Sequence, residues 1–430
     1  MGEWTSTDLS ALIETIQSGG RPKGGASEDS GEIPSLGGEN IRQSGGLELA
    51  SVRCVPIAFF NRLTKGVLQS NDVLINKDGA NTGKVGFYEG QFERAAINEH
   101  VFLLRGKPAE LHQIFLYYLL LSQFGQETIK AKISGSAQPG LKSDFIRNFP
   151  VRVPKKTPEQ SQIGDVLIAV DRAIEQTETL IAKYQCIKTG LMQNLLTCGI
   201  DEHGQLRDPT THKFKPSPLG HIPAEWEVRT LFELADPQTP ICYGIVQVKD
   251  FVDGGVPTLA IRDLEGDYHT NIHHTAPAIE AQYKRSRIQP NDLLISIKGT
   301  TGRIDVVPET FYGNISRDIA RIRFRDGAIP YFFKFYFQSQ LGTRTLDLVT
   351  VGTTRKEISI APLKEVMVPV PPKEEQELVA GILRIHISME AAEKVYLGKL
   401  VRLKTGLMQD LLTGKVSVEP LLNLKQGGNA

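Results

Sequence analysis

Several stretches of the chain hold residue types whose spacing could do chemistry. GANTGKV, Gly79–Val85, looks like a phosphate-binding loop. Such a loop needs four residues between its glycines and a Ser or Thr after its lysine to hold magnesium. Here three residues separate the glycines and Val85 follows Lys84, while the related GTTGRI at Gly299 has less still. Both segments therefore read as turns, presenting Lys84 and Arg303. DYHTNIHH gathers His269, His273 and His274, yet no acidic or cysteine ligand follows at metal spacing, so these read as solvated surface histidines. Asp292, followed by ISIK to Lys298, imitates a nuclease arrangement but lacks the second carboxylate that a shared metal needs; Asp72, followed by INK, lacks it too. Neither an N-P-P-Y or D-P-P-Y base-methylation motif nor a glycine-rich fingerprint for a nucleoside cofactor occurs. The chain reads as non-catalytic and without a metal site of its own.

Polar and basic residues on turns remain. In the first half these are Arg21, Lys23, Asn40, Arg42, Lys77, Asn81, Lys84 and, in the loop GSAQPGL, Gln138. In the second half they are Arg262, Lys284, Arg285, Arg287, Lys298, Thr300, Arg303 and the run Thr353, Thr354, Arg355, Lys356. Arg, Lys and Asn on loops can contact base edges or phosphates. Any one of them is equally what a solvated surface charge looks like.

Composition bounds the partners. With 430 residues the chain exceeds the roughly 250 to 300 at which single cores stop growing, so more than one domain is expected. Hydrophobic residues make up 40% and charged ones 23%, and mean hydropathy is close to zero, as in ordinary globular proteins. The formal net charge is zero, which excludes a uniformly basic nucleic-acid binder and confines any DNA grip to local patches. Cys54, Cys186, Cys198 and Cys242 form no CxxC pair, and neither a zinc ribbon nor a disulfide framework follows; a reducing cytoplasm fits best. The longest apolar run, Ile114–Leu121, is far short of the roughly 20 residues that cross a bilayer. Met1-Gly2 with Ser6 matches a myristoylation pattern only formally, since bulky Trp4 follows and no polybasic segment is near.

The elements that must position those loops come twice. The two tryptophans open two halves, Trp4 in MGEWTSTDLSALIE and Trp226 in IPAEWEVRTLFELA. NDVLINKDGANTGK from Asn71 parallels NDLLISIKGTTGR from Asn291, and the loop at Gly135 parallels GTTRKEI at Gly352. FPVRVPKKTPEQ parallels VPVPPKEEQ, and KTGLMQNLLT (Lys188–Thr197) returns as KTGLMQDLLT (Lys404–Thr413). Such self-similarity is the sequence signature of a repeated architecture.

Each half begins with a mixed region of short β-like runs, Gly- and Pro-rich turns and one helical stretch, near Leu111–Lys132 and Tyr331–Leu348. A long helix without prolines follows, entered at Glu159-Gln160 and at Glu374-Glu375-Gln376, where acidic residues suit a first turn. In the first helix Ile163, Val170, Thr177, Tyr184 and Leu191 recur as one register of a coiled-coil seam, and Leu167, Ile174, Ile181 and Leu195 fill the other. In the second, the expected seam runs through Ile382, Met389, Tyr396 and Leu403 with Leu400, Leu407 and Leu411, disturbed by His386, Glu390 and Glu393. At 1.5 Å per residue each helix would span about 55 to 60 Å. Pairing the two buries both seams without a partner, and antiparallel pairing gives a rod with a globular head at either end, a geometry for two half-sites on duplex DNA.

The predicted organisation is α+β. A first globular domain covers 1–153, a first long helix 154–200, a linker 201–220, a second globular domain 221–372, a second long helix 373–415 and a tail 416–430.

Taken in order and twice over, these features resemble the specificity subunit of a type I restriction-modification enzyme. The marks are the tryptophan openings, IPSLGGENI after a glycine-rich turn, the P-E-Q and E-E-Q helix entries, and K-T-G-L-M-Q-x-L-L-T closing each helix. The resemblance implies two target recognition domains, each reading half of a bipartite DNA sequence and held apart by an antiparallel coiled coil. It implies no catalysis in this chain. Two modification subunits would use S-adenosylmethionine to methylate adenine, and restriction subunits would complete a nuclease dependent on ATP and magnesium. Candidate DNA contacts are then the loops around Asn40 and Arg42, Lys77–Lys84 and Gly135–Leu141, and in the second domain Arg262, Lys298–Arg303 and Gly352–Lys356. LAIRDLEG stands where the first copy has LGGENIRQ, so the two half-sites should differ. A two-headed scaffold with protein ligands is the competing expectation, favoured by the neutral charge.

Overall fold

In a computed structural model of the chain, residues 3–422 are described except 24–25, 27–30, 136–138 and 354. Of the expected contact residues, Gln138 and Thr354 lie outside the described residues. The chain divides into two compact units, Met1–Glu178 with Val395–Ala430, and Thr179–Lys394.

The first unit contains a four-stranded antiparallel sheet in the order Ile13–Ser18, Val101–Gly106, Asp72–Asn76, Val85–Tyr88. A three-stranded sheet in the order Cys54–Val55, Ile33–Leu36, Ala96–Ile97 accompanies it, and Trp4–Asp8 pairs with Pro150–Pro154. The alternation of side chains along DVLIN explains why every residue of that strand is buried. Val73 and Ile75 enter the larger core with Phe115 and Leu167, and Leu74 enters a smaller one with Leu36 and Ile97.

The second unit has the same connectivity. Its four-stranded sheet runs Cys242–Tyr243, Ile319–Ile322, Leu293–Ser296, Ile304–Val306; its three-stranded sheet runs His273–Thr275, Val256–Leu259, Asn314–Ile315; Glu227–Thr230 pairs with Met367–Val370. Leu293 and Ile295 join the larger core, and Leu294 the smaller. A ribbon of Lys298–Gly299, Lys356–Ile358 and Thr350–Val351 stands where the first unit has the single bridges of Gly140 to Asp78 and Ser134, and a hairpin of Phe214–Ser217 with Gly220–Pro223 is added.

The repeated dipeptide Asn-Asp turns out to be a framework device. Asn71 and Asn291 have φ of 72° and 69°, a left-handed conformation that Asn tolerates better than most side chains. The next carboxylate is buried and clamps its own turn and a neighbouring strand: Asp72 accepts from Gln69 N at 2.8 Å and from Arg105 Nε at 2.6 Å, and Asp292 from Gln289 N at 2.9 Å and Arg323 Nε at 2.8 Å. The nuclease-like aspartates are thereby explained as ion pairs of the sheet.

Each expected helical stretch is two helices. Gln113–Leu121 and Gln123–Lys132 meet at Ser122, and Pro330–Gln338 and Gln340–Leu348 at Ser339. Each serine hydroxyl accepts the amide of the glycine three residues on, Gly125 at 3.1 Å and Gly342 at 3.2 Å, which caps the second helix and breaks the first.

Long helices run over Thr157–Leu195 and Lys373–Leu411. Their entries are fastened identically. Gln160 accepts from His112 N at 2.7 Å and donates to Glu110 O and Pro154 O; Gln376 accepts from Ile329 N at 2.9 Å and donates to Gly327 O and Pro371 O. Trp4 meets Phe115 edge-on, and Trp226 meets Phe332, both with centroids 6.3 Å apart. Within the first unit Ile163 and Leu167 share a core with Leu411 and Leu412, and Lys404 binds Asp171 at 2.7 Å. Within the second, Leu195 shares a core with Val379 and Leu383, and Glu390 binds Gln185 at 3.3 Å and Lys188 at 3.6 Å. In both units the two helical segments therefore run in opposite directions.

The first helix packs in the expected register: Ile163, Leu167, Ile181 and Leu195 are buried, and Val170, Ile174, Tyr184 and Leu191 half-buried. In the second, Leu400 and Leu411 of the expected seam are buried and Leu407 half-buried, but its other register is corrected by one residue. Met389, Tyr396 and Leu403 are 41%, 50% and 50% exposed, and Ile382 is half-buried. The packed positions there are buried Leu383 and Glu390 and half-buried Lys404. Its inward face is partly charged, and hydrophobic periodicity followed the apolar flank. No helix among the described residues is long and apolar enough to cross a membrane.

Candidate nucleic-acid interface

In the first unit three loops that are distant in sequence are tied into one surface. The turn after the Asp72–Asn76 strand reverses through Gly79 and Gly83, both at positive φ. Thr82 Oγ1 donates to Gly79 O at 2.6 Å and to Pro139 O at 3.1 Å, and Leu141 N donates to Lys77 O at 2.6 Å, which joins this turn to the loop around Gly140. Asn81 Nδ2 reaches Gly38 O at 3.4 Å, which brings in the Gly38–Asn40 turn. Lys77 Nζ lies 5.4 Å over the Phe102 ring beside an open concavity of about 580 Å³ that Lys142 and Ser143 also line. Lys84 is half-buried, and Lys23 is exposed. Arg21 is 3.4 Å from Glu99, and Arg42 pairs with Glu48 at 3.0 Å on the surface.

Asn40 is withdrawn from the list of base readers. It is 3% exposed; its amide oxygen accepts from Gly37 N at 3.0 Å, and its nitrogen donates to Glu48 O and Ser51 O. With the oxygen and both N–H groups engaged, it shapes the loop and leaves no donor for a base.

The second unit keeps the backbone tie, with Ile358 N donating to Ile297 O at 2.8 Å, and adds different side-chain fastenings. Lys298–Gly299 pairs with Lys356–Glu357 as a ribbon, and Lys298 Nζ binds Glu357 at 3.0 Å. Arg303 donates to Ile261 O at 3.0 Å and Leu264 O at 2.6 Å and pairs with Glu265, so it anchors the turn that carries exposed Arg262. Thr300, Thr353, Arg355 and Lys356 are exposed on this surface. Arg285 and Arg287 belong to a separate segment. Arg287 grips Glu280 through two bonds, at 2.6 and 2.7 Å, and this hydrogen-bonded pairing holds the Glu280 carboxyl below the usual carboxylate range. Exposed Arg285 lies 5.9 Å over the Tyr243 ring.

The histidines depart from expectation. His269 is exposed, but His273 and His274 are half-buried on an edge strand against Phe251, with centroid distances of 6.1 and 5.4 Å. No group of three or more His, Cys, Asp or Glu able to hold a metal occurs among the described residues.

Several structural residues escaped the sequence reading. Gln160 and Gln376 lay within the repeated helix-entry motif, a signal that was available. Arg207 and Glu375, at 2.5 and 3.0 Å and both buried, join the linker to the second helix entry, and Glu375 also accepts from Ile200 N. The first-helix counterpart of Glu375, Glu159, is also buried, so no repeated pattern announces this pair.

A family model described as type I restriction modification DNA specificity domain matches residues 1–183 and 223–395. The specificity subunit assigned to type I restriction enzyme MjaX of Methanocaldococcus jannaschii is 26% identical, over 97% of this chain and 94% of that protein. The type I restriction enzyme EcoBI specificity subunit of Escherichia coli is 27% identical, over 74% of this chain and 68% of that protein. The crystal structure of the type I restriction-modification S subunit from M. genitalium superposes with a TM-score of 0.62 at 17% identity, covering 95% of this chain and 96% of that one.

Proposed function

Because the chain belongs to the type I restriction-modification DNA specificity family, we propose that it is the two-headed, non-catalytic reader of that system, each unit recognising one half of a bipartite and asymmetric DNA sequence. The observation that carries this is one framework with two different loop sets. The sheets, the Asn-Asp turns and the Gln clamps coincide, while the loops tied to Lys77–Lys84 and to Lys298–Arg303 differ in sequence and in the side chains that fasten them. Divergent loops on a common frame are what two unlike half-sites require.

The internal repeat and an antiparallel coiled coil of the two long helices belong to the same reading. The opposed helical segments within each unit support it, with Lys404 on Asp171 in one and Glu390 on Gln185 and Lys188 in the other. Two modification subunits dock on these helices, and restriction subunits join that assembly. The second helix offers Leu378, Ile385, Met389, Tyr396 and Leu403 exposed on one flank. The repeated K-T-G phrases place Gly190 and Gly406 within helices, each with open space where a Cβ would stand. A mid-helix glycine is worse than alanine by about 0.5–1 kcal/mol, which close approach of a partner helix would justify. S-adenosylmethionine, ATP and magnesium are then ligands of the partners.

With zero net charge, much of the phosphate grip comes from the modification subunits. A shift assay on random duplex DNA tests this. The assembled complex should select a bipartite sequence and lose affinity steeply with salt, and the isolated subunit should bind weakly. Equal affinity and salt slope for the subunit alone contradicts the shared grip, and no selected sequence in the complex contradicts the function.

A further inference from the structure

Arg321 is the least expected residue of the second sheet. It is 0% exposed, in the middle of the Ile319–Ile322 strand, opposite Leu294. The register of the first unit puts Leu103, also fully buried, opposite Leu74 at the corresponding place. An apolar side chain is therefore what this frame accommodates, and the second unit carries a guanidinium there instead.

That guanidinium has no carboxylate within ion-pair distance among the described residues, and its Nε and Nη1 have no hydrogen-bond partner. Its Nη2 alone is engaged, donating to Pro240 O at 2.8 Å, Arg285 O at 3.0 Å and Cys242 Sγ at 3.3 Å. A buried, incompletely paired charge is destabilising relative to a well-packed apolar residue, so stability does not account for it. The two carbonyls that it joins belong to the loop leading to Tyr243 and to the segment carrying Arg285, and those are the residues whose side chains meet at the surface.

We propose that Arg321 is a positioning residue for DNA recognition by the second unit: it ties the Pro240 and Arg285 carbonyls together, beside the Cys242–Tyr243 strand that pairs with its own, so that Arg285 and Tyr243 present a preassembled cation–aromatic pair to the second half-site. This rests on the reading that the second unit contacts DNA. Arg285 supplies donors for a base edge or phosphate, and the tyrosine ring holds the guanidinium plane against solvent averaging. Replacing the strut with leucine keeps the sheet and loosens the pair. Stability and recognition then move in different directions, which a purely structural residue would not allow.

The test is selection from a random duplex pool by the subunit assembled with its modification subunits, comparing wild type with Arg321→Leu, Arg285→Ala and the double variant, alongside thermal unfolding. Arg321→Leu should unfold at an equal or higher temperature and relax discrimination by roughly tenfold at positions of the second half-site only. Arg285→Ala should relax the same positions, and the double variant should go no further. Unchanged second-half preference in Arg321→Leu or Arg285→Ala overturns the proposal. So does loss of cooperative unfolding in Arg321→Leu, because the guanidinium would then be a stability element. A wild-type complex that selects no sequence refutes the DNA-reading function itself, whereas a wild type that selects normally leaves any variant result to judge Arg321 alone.

Discussion

The two units share their sheets and differ in how their edges are held. Both tie their loops by a backbone bond, from Leu141 to Lys77 and from Ile358 to Ile297, but in the first the Thr82 hydroxyl and the Asn81 amide complete the tie, and in the second a three-stranded ribbon and the Arg303 guanidinium do. In the first unit Tyr118 donates to Asp171, which also binds Lys404, and burial followed by the Asp171 charge pushes the Tyr118 phenol far up. The matching helix position in the second unit is Ile387, packed on the larger core. Glu375 is gripped by Arg207, whereas Glu159 forms no ion pair with a described residue. The difference teaches that a duplicated frame constrains the residues that close the sheets and enter the helices. The side chains beyond them are free to diverge, and the proposed reading of unlike half-sites rests on that divergence.

Breaking the asymmetric ion pair should have the largest effect. Glu375→Ala leaves buried Arg207 with only the longer, more exposed contact to Glu225 at 3.8 Å and should destabilise the second unit by roughly 2–4 kcal/mol. Glu159→Ala, which breaks no such pair, should stay under about 1 kcal/mol. Urea unfolding followed by hydrogen exchange resolves both, and equal losses would remove this distinction between the units. The shared clamp gives the opposite pattern: Gln160→Ala and Gln376→Ala should each cost about 1–3 kcal/mol and match one another, because each strands equivalent backbone groups. A large mismatch in denaturation midpoints would show that the two helix entries are not equivalent.

The register of the second helix sharpens the comparison next. Tyr396→Ser and Leu403→Ser, on exposed positions, should change stability by under about 0.5 kcal/mol while weakening capture of the modification subunit in a pull-down. A stability loss near that of a core residue would restore the register expected from periodicity.

The smallest effect is acid sensitivity. Glu280 is held below its ordinary range chiefly by the Arg287 hydrogen bonds, and Glu390 chiefly by the bond to Lys394. A depressed folded-state pKa contributes stability that is present above the unfolded value, about 4.5, and fades as pH falls through the lower folded value. The second unit also holds Asp201, Asp208, Glu233, Asp236 and Asp267 below their ordinary range, against Glu3, Asp8 and Glu48 in the first, so its amides should lose exchange protection first as pH is lowered below 4.5. Simultaneous loss would contradict this.

Much of the frame was legible because it is written twice: the tryptophan openings, the helix entries and the first-helix register all follow from local pattern, whereas the repeated Asn-Asp did not show itself as a turn. Failures came where partners are distant in sequence. Asn40 looked like a base reader because Glu48 O and Ser51 O, which occupy its amide nitrogen, carry no sequence mark. Met389, Tyr396 and Leu403 repeat every seventh residue on an exposed flank, while Glu390 and Lys404 face inward to Lys188 and Asp171, so apolar periodicity pointed to the wrong face. Arg321 was invisible for the same reason, since only the register against Leu294 marks it as buried.

The account's central claim is that each unit's own loops read one half of the target. It is tested most directly by sequencing the DNA selected from random duplexes by the complex assembled with its modification subunits, for the wild type and for Lys77→Ala with Lys84→Ala or Lys298→Ala with Lys356→Ala. The account predicts an interrupted, asymmetric sequence in which the first pair of substitutions relaxes one half only and the second pair the other half only. Relaxation of both halves by either pair, or of neither, would contradict it.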